Sequence, residues 1–168
     1  MAQGITDLHI HLGGSWPLSY LRSVATATEL DELNAFLNEI DNASTTYASC
    51  FDAFALASKI VNCNSRVEEG VAVLCEELSA QDVTYVELRT GLKQYGSDNY
   101  EDYLQAILRG IKRSNRPNLT IKLLLSLKRT STPDFAASTL QLVSKYRGIV
   151  VGLDISDNSI LGDGAGIE

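Results

Sequence analysis

From Leu119 to Leu127 the chain reads LTIKLLLSL, an almost continuous apolar run. A strand with one wet face alternates apolar and polar residues. A strand that is apolar nearly throughout is buried on both faces, as in a parallel sheet covered by helices. That requirement organises the rest of the chain. Strand-like segments also occur at Ile5–Leu12, Val83–Leu88 and Ile149–Ile155. Helical periodicity occupies Leu18–Thr26, Leu30–Ile40, Tyr47–Val61 and Ser65–Ser79, then Asn99–Lys112 and Pro133–Tyr146. Ser65 with Glu68 three residues on predicts a capping box. The order is strand, several helices, strand, helix, strand, helix, strand, which predicts right-handed βαβ units and a parallel sheet.

Two parallel architectures compete. A doubly wound sheet could be complete with four strands, but no GxGxxG follows the first strand and no GxxxxGK[ST] occurs anywhere. A (β/α)8 barrel needs about 250 residues, and this chain of 168 residues would supply about its first four strands. Barrel sites lie at the C-terminal ends of the strands. His9 and His11, Arg89 and Thr90, and Asp154 and Ser156 all stand at such ends. Their agreement favours the barrel.

The chain is 45% hydrophobic with a formal net charge of −7, which suits a single folded, partial barrel domain over 1–168 and argues against disorder. The acidic balance argues against nucleic-acid partners. No apolar run of about 18 residues occurs, so no membrane partner is expected. The opening MAQGITDLHIHLGG lacks a basic stretch followed by an apolar one, so no secretory signal is expected. Cys50, Cys63 and Cys75 form no CxxC pair and read as small packing residues of a protein in a reducing, cytoplasmic compartment.

The two histidines of the chain are His9 and His11. On a strand, residues two apart share a face. Thr6, Leu8, Ile10 and Leu12 are then expected on a face packed against helices, with Asp7, His9 and His11 on the other. A solvent-exposed antiparallel strand would alternate in the same way. Both imidazoles can reach one divalent ion, which would activate water. Two strand histidines satisfied by solvent or hydrogen bonds remain the other reading, because two ligands do not make a site.

DLHIHLGGSWP resembles the opening of the adenosine/AMP deaminase family of the amidohydrolase superfamily. YVELRTGLK and IVVGLDIS resemble the family's second- and fourth-strand motifs, in the same order and spacing. CFDAFALASKIV and LRGIKRS are similar to the adenosine-deaminase-like branch that acts on N6-substituted AMP. The resemblance implies a (β/α)8 barrel with one Zn2+, held in part by His9 and His11, and hydrolytic deamination of adenosine, AMP or N6-substituted AMP. It also implies substrate contacts by His11, Gly13, Gly14, Thr90, Gly91, Leu92 and Lys93, with the Lys93 ammonium paired to a 5′-phosphate.

Four positions depart from the family pattern. Gly13 replaces a polar residue, Ser58 a histidine and Lys128 an acidic residue. Asp157 replaces the glycine whose backbone meets the purine. The family's third zinc histidine, its general acid/base glutamate, a further catalytic histidine and its aspartate ligand belong to the second half, so no catalytic residue is expected here. Glu87 is no substitute base, since it is expected to pair with Arg89 on the same strand face. The alternative is a catalytically inactive, deaminase-derived half-barrel acting as a binding or regulatory protein. A symmetric pair of half-barrels converging four histidines on one metal is a third arrangement. Open strand edges and apolar inner faces of the third and fourth strands predict self-association or a completing C-terminal half.

Overall fold

The computed structural model describes residues 4–42 and 47–156. Four strands form one sheet: β1 (Ile5–His11), β2 (Val83–Gly91), β3 (Thr120–Leu127) and β4 (Val150–Ile155). They lie in the order β1-β2-β3-β4, and every neighbouring pair is parallel. A doubly wound sheet reverses its strand order at a switch point. Here sequence order and spatial order coincide, as in consecutive staves of a (β/α)8 barrel.

The connections are helical. α1 (Leu18–Val24), α2 (Ala27–Asn42), α3 (Tyr47–Ile60) and α4 (Asn64–Ala80) separate β1 from β2. α5 (Tyr100–Ser114) and α6 (Pro133–Lys145) complete the two following units. The core lies between sheet and helices. Val86 and Leu88 of β2 and Leu123 and Leu125 of β3 are fully buried there, with Val67, Val71 and Cys75 of α4 and Leu104, Ala106 and Ile107 of α5. The α4–α5 crossing is close because α5 carries Gly110. A Cβ at that position would come within 2.5 Å of the Glu68 carbonyl oxygen.

Two local expectations are corrected. The α4 N-cap is Cys63, without a side-chain cap. The Ser65 hydroxyl instead meets the Cys63 sulfur at 3.1 Å, and Glu68 pairs with Arg109 of α5 at 2.6 Å. Tertiary pairing thus takes the glutamate from the cap. Reciprocal caps occur where α2 and α5 begin: Thr26 with Glu29, and Asn99 with Asp102.

The second correction concerns β1, which does not alternate cleanly. Its pairing moves from Asp7↔Val86 to Ile10↔Leu88, so β1 carries one extra residue there. The Asp7 carboxylate accepts the His9 N–H at 2.9 Å across that irregularity. Leu8 is left 55% exposed instead of packed under a helix. Such bulges bend a strand and re-aim the side chains beyond them. On β1 those side chains include His9 and His11.

Candidate metal and nucleotide site

The bulge leads into the feature that defines the site. His9 Nε2 and His11 Nε2 approach to 3.1 Å, with ring centroids 5.1 Å apart. Two nitrogens bound at zinc distances on adjacent corners of a tetrahedron lie about 3.3 Å apart. The pair therefore has the bite of two ligands on one ion. Burial, and next the neighbouring His9, lower the pKa of His11, which favours the neutral imidazole that binds metals. No cluster of three or more metal-binding side chains forms among the described residues. The donors present fit part of a metal site.

Beyond His11 the chain tightens into a 3-10 turn, Leu12–Gly14. Ser15 ties that turn back by donating to the His11 carbonyl at 2.8 Å. Gly14 has a steric role: a Cβ there would lie 2.1 Å from the Phe54 ring of α3. The turn, the end of β2 and the loop after β3 enclose a cleft of about 570 Å³. His11, Gly13, Gly14, Thr90, Gly91, Leu92 and Lys93 line it together. His9 stands beside it through its contact with His11, and Asp157 lies outside the described residues.

Thr90 lines the cleft with its hydroxyl already engaged, 2.7 Å from the Tyr103 hydroxyl of α5. Burial pushes the Tyr103 phenol up to about 12. Lys93 donates to the Ser58 hydroxyl of α3 at 3.0 Å. Its pKa is lowered, first by burial and then by the neighbouring Lys128 charge.

The expected Glu87–Arg89 pair does not form. Arg89 reaches across β3 to Asp154 at the end of β4, at 2.6 Å, and Glu87 accepts from the Tyr85 hydroxyl at 3.1 Å. The curl of the sheet brings the ends of β2 and β4 within one arginine side chain. Asp154 also accepts from Ser126 of β3 at 3.0 Å, and Arg89 donates to the Leu8 carbonyl of β1 at 3.3 Å. One network therefore ties all four strand ends together beside His11. The depressed pKa of Asp154 has a clear origin: burial raises it, but hydrogen bonds from Ser156, Ser126 and Arg89 outweigh that. Sequence reasoning placed Arg89 and Asp154 at strand ends but missed their pairing, since no periodicity reports contacts between non-adjacent strands. Phe51, Phe54 and Arg129 also line the cleft and were not expected.

No family model matches the chain. The adenosine deaminase-like protein of Drosophila pseudoobscura pseudoobscura is 28% identical over 162 residues, covering 89% of this chain and 47% of that protein. The human N6-methyl-AMP deaminase is 25% identical, covering 93% and 46%. The chain resembles the adenosine/AMP deaminase family. It spans about half the length of the curated relatives it matches.

Solved structures agree. The Arabidopsis N6-mAMP deaminase superposes with a TM-score of 0.82 at 25% identity, over 96% of this chain and 52% of that one. Arabidopsis ADAL complexed with GMP gives 0.81 at 26%, with the same coverage. An amidohydrolase from Burkholderia ambifaria with bound Zn shares the fold, with a TM-score of 0.73 at 19% identity over 92% of this chain and 44% of that one. The four strands with their flanking helices are half of the barrel seen in the deaminase-like structures. No helix among the described residues is long and apolar enough to cross a membrane.

Proposed function

We propose that this chain forms the first half of a metal-dependent purine deaminase barrel, acting on a purine nucleoside or nucleotide such as adenosine, AMP or N6-substituted AMP. The convergence of His9 Nε2 and His11 Nε2 at the end of β1 carries the reading. Relatives with deaminase names support it, as do Arabidopsis structures that hold GMP and IMP. His9 and His11 would hold Zn2+ together with ligands from residues beyond those described. When bound, such an ion supplies Lewis acidity and lowers the pKa of water at the site.

The residues of this chain have their own parts. His9 and His11 offer Nε2 lone pairs, and the Arg89–Asp154–Ser126 network fixes the strand ends around them. Gly13, Gly14, Gly91 and Leu92 shape the cleft against the purine and ribose. Lys93, braced by Ser58, pairs with a 5′-phosphate. General acid/base groups come from the remainder of the barrel.

The test is native mass spectrometry of the purified protein with zinc, followed by assays on adenosine, AMP and N6-methyl-AMP. One zinc per site, lost in the His9→Ala, His11→Ala double variant, is expected. Full zinc retention by that variant overturns the metal reading. A zinc-free protein inactive on all three substrates favours an inactive, binding half-barrel.

A further inference from the structure

The chain as a whole is acidic, at −7, yet its cleft is not. Arg89, Lys93, Lys128 and Arg129 line it, and among the described residues no carboxylate does. Arg89 is neutralised by Asp154. The other three have no ion pair among the described residues. Lys93 is partly buried, its only described hydrogen bond is to the neutral Ser58 hydroxyl, and the Lys128 charge bears on it. Like charges held together without a counterion cost stability. A cleft lined by one sign of charge also concentrates ligands of the opposite sign.

The cations also have an order. Lys93 is half-buried beyond the end of β2, whereas Lys128 and Arg129 are exposed at the mouth, after β3. Their turn is closed by two reciprocal bonds: the Lys128 N–H to the Ser131 hydroxyl at 2.9 Å, and the Ser131 N–H to the Lys128 carbonyl at 3.0 Å. Thr132 then caps α6. The two outer cations therefore stand on a tied turn. One phosphate carries about two negative charges at neutral pH, which leaves part of a three-cation cluster unused.

We infer that the cleft takes a nucleoside 5′-diphosphate, with the first phosphoryl group on Lys93 and the second on Lys128 and Arg129. The inference rests on the deaminase reading for its direction, base end toward the histidine pair. No bond is made or broken at this subsite; it selects the substrate by charge.

Calorimetric titration of the whole chain with ADP, AMP, pyrophosphate and phosphate tests it. ADP should bind roughly fivefold more tightly than AMP, the scale of an exposed charge pair. Pyrophosphate should exceed phosphate likewise. The Lys128→Ala, Arg129→Ala double variant should erase both preferences, and Lys112→Ala with Arg113→Ala, two exposed cations on α5, should leave them intact. Circular dichroism would verify that each variant folds. Equal affinity for ADP and AMP, or a preference that survives the Lys128/Arg129 variant, overturns the diphosphate subsite while zinc binding by His9 and His11 still stands. Zinc retention by the histidine double variant overturns the deaminase reading, and a pyrophosphate preference that the Lys128/Arg129 variant erases then upholds the anion subsite on its own.

Discussion

The centre and the edges of this sheet are built to different standards. In the centre, β2 and β3 bury Val86, Leu88, Leu123 and Leu125 completely beneath α4 and α5. At the edges, Val151, Leu153 and Ile155 of β4 and Ile5 and Leu8 of β1 are 39–59% exposed. The β4 residues alternate with Gly152 and Asp154, and Leu153 pairs in register with buried Leu125. Their face is thus the helix-facing one, uncovered. The inner faces, expected to be apolar, instead carry Lys122, Ser126 and Asp154 around Leu124. The exposed apolar surface lies where a neighbouring barrel unit would put a helix. Stability is concentrated in the centre, while the candidate metal ligands ride on an edge strand.

The largest test of that contrast is a matched truncation. Leu123→Ala removes a fully buried side chain and should cost about 2–5 kcal/mol. Leu153→Ala, at 39% exposure, should cost less than about 1 kcal/mol. Urea unfolding of both variants at low concentration checks this. A Leu153 cost close to that of Leu123 would mean that β4 is covered in solution. The loss should then shrink on dilution if a second copy is what covers it.

The next effect is electrostatic and joins the two regions. Asp154→Ala strips Arg89 of its carboxylate, and the Arg89 Nε is already buried without a partner. A lost hydrogen bond to a charged group of this kind costs about 2–3 kcal/mol. The Arg89→Leu, Asp154→Leu double variant should recover much of it, because a pair replaced by apolar groups leaves no orphaned charge. A double variant as unstable as the single one would show that the bridge holds the β2 and β4 ends together in its own right.

The same contrast explains which features the sequence made legible. The Leu119–Leu127 run and the regular strand–helix spacing place every element to within a few residues, because central burial imposes strong periodicity. Of the cleft residues, His11, Arg89, Thr90 and Ser156 were legible as strand-end positions, whereas Gly13, Gly14, Gly91, Leu92 and Lys93 followed only from the family resemblance. Three features were not legible. The β1 bulge is invisible because an edge strand has only one partner to hold register. The Arg89–Asp154 bridge was misassigned to Glu87, since same-strand spacing says nothing of the sheet's curl. The Ser65–Glu68 cap failed because Arg109, 41 residues away from Glu68, competes for that glutamate.

The smallest expected effect is a pH dependence, and it isolates Asp154 from the chain's other carboxylates. Its folded pKa lies below the ordinary value of 3.8. A carboxylate with a depressed folded pKa adds stability that is fully present above its unfolded pKa and is lost as pH falls through the folded one. Wild type should therefore exceed Asp154→Asn by a constant margin at neutral pH. That margin should begin to shrink once pH drops below about 4, where the unfolded chain takes up the proton, and should stop shrinking once the folded carboxylate is protonated too. All the other acidic groups titrate alike in both proteins, so the difference between the two acid-unfolding curves reports this group alone. A margin that stays constant through this range would mean that Asp154 has the same pKa folded and unfolded, so that the bridge adds nothing through its charge. A margin that grows as pH falls would show that burial outweighs Arg89, Ser126 and Ser156, and that the strand ends around the histidine pair are less firmly tied than the centre of the sheet beneath them.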